Sequence, residues 1–137
     1  MYYLIYLSAA NNFMDDEELK KILSSSRKNN EENHLTGVLL YGNGQFIQLL
    51  EGEQETVERI FAVISSDKRH LAVTVIASGP LNQRCFPEWH MGFKAIDPAA
   101  EPEVAFPDDS KLSADQHDCE FPVKILQSFM RKNRLIL

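Results

Sequence analysis

Apolar side chains recur along the chain with two different periods, and the alternation between those periods lays out its elements. Residues 2–8 (YYLIYLS), 35–41 (LTGVLLY), 46–52 (FIQLLEG) and 71–77 (LAVTVIA) are short runs dense in aliphatic, aromatic or β-branched side chains, and each predicts a strand. A fifth strand is predicted around Trp89, Met91 and Phe93, beyond the break at Gly79-Pro80. Between strands the spacing lengthens to that of a helix. Leu19, Ile22 and Leu23 recur at helical intervals in a segment that opens on the carboxylates of Asp15 or Asp16 and runs towards Asn29-Asn30. Val57, Ile60, Phe61 and Ile64 form a core-facing stripe over residues 54–66. Gly42-Asn43-Gly44 joins the second and third strands as a hairpin turn.

This order predicts an α+β fold: a ferredoxin-like βαββαβ sandwich with an additional strand, two helices lying on one face of a mixed sheet. After Asp97 the chain changes character. Pro98, Pro102, Pro107 and Asp108-Asp109 mark a linker, and residues 122–133 predict a helix with Val123, Leu126 and Met130 on one stripe, widened by Ile125 and Phe129. The expected organisation is a domain over 1–97 followed by a linker and C-terminal helical extension over 98–137. The apolar stripe of that helix needs cover, either from the open face of the sheet or from a second subunit.

Composition narrows the partners. With 137 residues, 44% hydrophobic and 25% charged, the chain is long enough for one domain with a sizeable core. A formal net charge of -6 leaves no concentrated basic surface of the kind that phosphate backbones require, so nucleic acid is not expected. Residues 2–7 are too short an apolar run for a leader and lack a basic start, and no segment approaches the roughly 20 apolar residues of a membrane helix. Cys85 and Cys119 have no metal-ligand spacing, so free thiols in a reducing cytoplasm are expected. No phosphate-binding glycine loop, zinc-protease helix or paired-cysteine motif is present, and His34, His70, His90 and His117 are scattered. Neither catalytic residues nor a metal site are therefore assigned.

One residue breaks the hydrophobic pattern. In the third strand Phe46, Gln48 and Leu50 share a face, so Gln48 points where its neighbours are apolar. A buried amide without partners costs roughly 1–3 kcal/mol, so it requires a polar neighbour unless it sits at a strand edge and reaches solvent. First and third strands are adjacent in a βαββαβ sheet, which brings Tyr6 to Gln48. A phenol can give up an electron and a proton together, and an amide has a donor and an acceptor end. A flat heteroaromatic ring between the two helices would meet Ile22 and Ile64 on its faces and Asn30, two turns on from Ile22, at its polar edge. Singly, each of these residues has an ordinary role as core tyrosine, packing residue or helix cap.

Together, and in register with further motifs, they resemble a known family. Tyr6, Ser26, Asn29-Asn30, Leu35-Thr36-Gly37, the run Phe46 to Gly52, Asp67-Lys68-Arg69-His70 and Arg84-Cys85-Phe86-Pro87-Glu88-Trp89-His90-Met91 are similar to the BLUF family of blue-light sensors that use FAD, over roughly residues 2–96. The resemblance implies a non-covalent flavin between the two helices, FAD with FMN or riboflavin as alternatives. It makes Tyr6 and Gln48 the photoactive pair. It assigns Ile22, Ser26, Asn29, Asn30, Gln48, Ile64, Arg69 and His70 to the cofactor, and Trp89 and Met91 to relay of the signal. The residues beyond Asp97 match no catalytic output module, so the chain resembles the short, stand-alone members and is expected to signal through a downstream protein or a change of homo-oligomer. A flavin-free ferredoxin-like interaction or ligand-binding module is the alternative, and a flavoenzyme would need a substrate site that no motif supplies.

Overall fold

Side-chain alternation along β1 (Tyr2–Ala10) sends Leu4 and Tyr6 to one face and Tyr3 and Ile5 to the other, and this division runs through the whole protein. The computed structural model describes residues 1–10, 16–68, 70–87, 92–95 and 119–135. After β1 come α1 (Asp16–Glu32), β2 (Thr36–Gly42), β3 (Gln45–Gly52), α2 (Gln54–Ser65), β4 (His70–Pro80), β5 (Gly92–Ala95) and α3 (Glu120–Leu135). The sheet order is β4-β1-β3-β2-β5, with antiparallel pairing throughout except for β5, which runs parallel to β2. This is the ferredoxin-like βαββαβ arrangement with one added strand, as the element order predicted.

Two cores lie on the two faces. Under α1 and α2, Leu4, Tyr6, Leu39, Phe46 and Leu50 pack with Ile22, Leu23, Val57 and Ile60. On the opposite face Ile5, Val38, Leu40, Ile47 and Leu49 pack with Val123, Leu126, Phe129 and Met130 of α3. The apolar stripe of the C-terminal helix is thus covered by the sheet of its own chain. Burying a full aliphatic side chain contributes roughly 1.5–3 kcal/mol, so this stripe favours docking of α3 on the sheet.

Two local signals set the chain's direction near the site. Asn43 and Gly44 adopt φ of 52° and 75°, the left-handed pair that a two-residue hairpin demands and that Asn-Gly supplies at low cost. At the end of α1 the helix passes Asn29-Asn30 and stops at His34, φ 57°, where the Leu35 N–H donates to the Asn30 carbonyl at 2.8 Å and the His34 N–H to that of Glu31 at 3.4 Å. Asn30 is therefore inside the last turn rather than its cap, and its side chain is buried at 1% exposure.

The expectation of free thiols is corrected. Cys85, in the turn after β4, and Cys119, at the start of α3, form a disulfide with Cα atoms 5.5 Å apart. The two are 34 residues apart in sequence, and only the docking of α3 on the sheet brings them together. The thiol argument for a reducing cytoplasm falls with it. The expected linker after Asp97 and the domain boundary there lie outside the described residues. Among the described residues no helix is long and apolar enough to cross a membrane.

Candidate functional site

The β1–β3 ladder sets Tyr6 directly opposite Gln48, both on the face covered by α1 and α2. Both are buried, at 0% and 2% exposure, and the Tyr6 hydroxyl donates a hydrogen bond to Gln48 Oε1. The amide inside an apolar strand face thus has the polar partner that its burial requires. Burial pushes the Tyr6 phenol well above its ordinary pKa, and the negative charge of Asp67 adds to the effect. The ring is held by Phe61 of α2, centroids 5.5 Å apart, and by the edge of His70 at 6.1 Å. His70 in turn lies 2.9 Å through Nδ1 from Ser8 Oγ and packs on Phe46 at 4.9 Å.

Beside this pair an open cleft runs between the two helices. From α1 it receives Ile22, Ser25, Ser26 and Asn29, which at i, i+3, i+4 and i+7 make one helical face. From α2 come Val63 and Ile64, followed by Asp67; Leu39, Gln48 and His70 complete the lining from β2, β3 and β4. The α2 side chains are apolar, whereas α1 sets one isoleucine among two hydroxyls and an amide, and Gln48, Asp67 and His70 add further polar groups. Such a lining fits a planar heteroaromatic ring with apolar faces and a polar edge.

Of the residues expected at the cofactor, Ile22, Ser26, Asn29, Gln48, Ile64 and His70 line the cleft together. Asn30 is buried next to this group and is not among the lining residues. Arg69, Trp89 and Met91 lie outside the described residues. Ser25, Leu39, Val63 and Asp67 were not expected there. Ser25 follows from the spacing to Ile22, whereas Leu39 enters because the β2–β3 register places it beside Gln48, which pattern alone does not fix. The lining side chains of α2, Val63 and Ile64, are both apolar.

Behind the cleft, on the other face of β3, sits a second polar cluster. Glu51 is fully buried and accepts hydrogen bonds from Thr36 Oγ1 at 2.8 Å, Cys85 N at 2.8 Å and Phe86 N at 2.7 Å. Arg84 adds donors to Thr36 Oγ1 at 2.9 Å, the Glu51 carbonyl at 3.0 Å and the His34 carbonyl at 2.5 Å. Burial raises the Glu51 carboxyl above its ordinary range, opposed by these backbone and side-chain donors and by the charge of Arg84. The carboxylate fixes the turn from β4 onto β3.

Comparison with known proteins adds a family. The sequence model of the family described as BLUF, sensors of blue-light using FAD, matches residues 1–92. The alpha subunit of photoactivated adenylate cyclase from Euglena gracilis is 43% identical over 63 residues, 46% of this chain and 6% of that protein. The chain therefore spans a small fraction of the curated relatives that it matches. Among solved structures, BlrB, a BLUF protein in its dark state, superposes with a TM-score of 0.69 at 26% identity, covering 93% of this chain and 96% of that one. A bacterial light-regulated adenylyl cyclase superposes with a TM-score of 0.68 at 28% identity over 99% of this chain and 35% of its own.

Proposed function

The chain belongs to the BLUF family of flavin-binding blue-light sensors, and on that premise we propose that it is a photoreceptor whose signal is a hydrogen-bond rearrangement between Tyr6 and Gln48. The observation that carries this reading is the buried hydrogen bond from the Tyr6 hydroxyl to Gln48 Oε1 beside the cleft. Ile22 and Ile64 would hold the flavin ring on its faces, with Ser26, Asn29, Gln48 and His70 along its rim and Asn30 close behind; Arg69 completes the proposed set. When bound, the flavin supplies absorption of blue light and an excited state that takes up an electron.

Tyr6 acts as donor. Its phenol is held neutral by burial and by Asp67, so it releases its electron and proton together rather than ionising first. The proton moves along the existing bond to Gln48 Oε1. A Gln amide is planar, with an acceptor at one end and a donor at the other, so half a turn or a tautomeric shift inverts the polarity it offers at nearly constant volume. On return of the electron and proton Tyr6 is restored, and Gln48 keeps the altered pattern. Reversal requires breaking satisfied bonds in a low-dielectric site, which makes the altered state long-lived. Trp89 and Met91 are the proposed relay residues. Residues 1–97 sense, while 98–137, or a downstream protein or second copy bound through them, read the outcome; sensing rather than turnover is the activity.

The test is an absorption spectrum of the purified chain in darkness, after blue light and during dark recovery. A flavin spectrum that shifts reversibly to the red without bleaching is expected. A colourless chain that takes up no added FAD would favour the flavin-free interaction module, and lasting bleaching would favour a flavoenzyme.

A further inference from the structure

The disulfide joins a hydrogen-bonded turn on the sheet to the start of a helix packed against it. Cys85 is held on the sheet without it, because Glu51 accepts the N–H groups of Cys85 and Phe86 while Arg84 is bonded to the Glu51 and His34 carbonyls. Cys119 directly precedes α3, whose apolar stripe packs on the sheet. That stripe covers Ile47 and Leu49, the two neighbours of Gln48 in β3, on the back of the strand. Both sulfurs are enclosed, Cys85 being 5% and Cys119 1% exposed.

We propose that the Cys85–Cys119 disulfide is a redox-operated lock on α3: oxidised, it keeps the helix seated behind β3 in darkness and in light, and reduced, it leaves seating to the noncovalent contacts of the helix. The role of α3 as a reader of light rests on the function proposed above. The partner reductant is a dithiol. One of its thiolates attacks a sulfur of the pair, forming a mixed disulfide and releasing the other cysteine as a thiolate that takes up a proton. Its second thiol then closes onto the first and releases the remaining cysteine. Two electrons and two protons pass from the dithiol to the protein, and the dithiol leaves as its own disulfide. Because both sulfurs are buried, attack waits on local opening at the start of α3, so the lock turns over slowly. Without the bond, the tether through residues 96–118 still holds the helix near the sheet, and docking becomes an equilibrium that a change in β3 can bias.

The full chain is equilibrated with glutathione disulfide or reduced with dithiothreitol, and hydrogen exchange across 119–135 is followed in darkness and under blue light. Thiols are counted in parallel by alkylation and mass. Amides of α3 are expected to exchange about tenfold faster or more in the reduced chain under conditions where exchange is local, by a larger factor than those of β1 and β3, and to respond to light only when reduced. Cys119→Ser is expected to match the reduced chain with or without dithiothreitol. Equal α3 exchange in the two redox states, or two alkylatable thiols remaining after glutathione disulfide, would overturn the lock. Redox-dependent exchange with no light response in either state would uphold the lock and overturn α3 as the reader of light, while the absorption spectrum decides photosensing separately.

Discussion

Tyr6 and Gln48 are register partners across the two central strands, and their side chains close a buried hydrogen bond on the face that borders the cleft. Neither strand could shift by one residue without sending one of the two to the opposite core. The bond is thus a property of sheet register as much as of residue choice.

Removing either end of this bond separates folding from signalling. Tyr6→Phe leaves the Gln48 oxygen without its donor, and Gln48→Leu leaves the phenol without its acceptor, each at about 1–3 kcal/mol in urea unfolding. Both variants are expected to retain flavin and lose the reversible red shift. A normal shift in either would exclude the proposed rearrangement.

Stability should carry the signature of Glu51. Its carboxyl is raised in the folded state, chiefly by burial, so the native protein binds the proton more tightly than the unfolded chain. Its contribution is present in full below its ordinary value of 4.5 and is lost as pH rises through the raised native value. Unfolding free energy measured from pH 4 upward should therefore contain a declining component, absent in Glu51→Gln. That variant should also lose about 2 kcal/mol, because an amide turns a donor towards N–H groups that need an acceptor.

Gly37 is required by space. A Cβ added there would stand 1.9 Å from the Leu49 carbonyl oxygen of the paired strand, and backbone cannot yield as a flexible side chain does. Gly37→Ala should cost about 3 kcal/mol or more, read as a lower thermal midpoint. Weakened flavin retention is expected as well, since Leu39 and Gln48 sit in the same β2–β3 ladder.

Reduction of the disulfide should weaken the fold. A cross-link spanning 34 residues restricts the unfolded chain by about 4 kcal/mol on the chain-entropy view. Urea midpoints with and without dithiothreitol should differ accordingly, and a difference near zero would mean that the reduced chain retains the same constraint by other contacts.

What the sequence determined on its own was local and periodic. The period-two runs and the helical stripes gave every element from β1 to α3 to within a few residues, because burial of one face is written residue by residue into hydrophobic spacing. Gln48 was legible as an amide on an apolar face, and its tyrosine partner followed from strand order. Tertiary structure decided the rest. Leu39 and Asp67 reached the cleft through register and the exit of α2, Glu51 became a buried acceptor only once the turn at Arg84 folded over it, and Asn30 moved inside its helix because the stop fell at His34. Which surface would cover α3, and that Cys119 would meet Cys85, depended on contacts between segments far apart in sequence, whose pairing leaves no period to read.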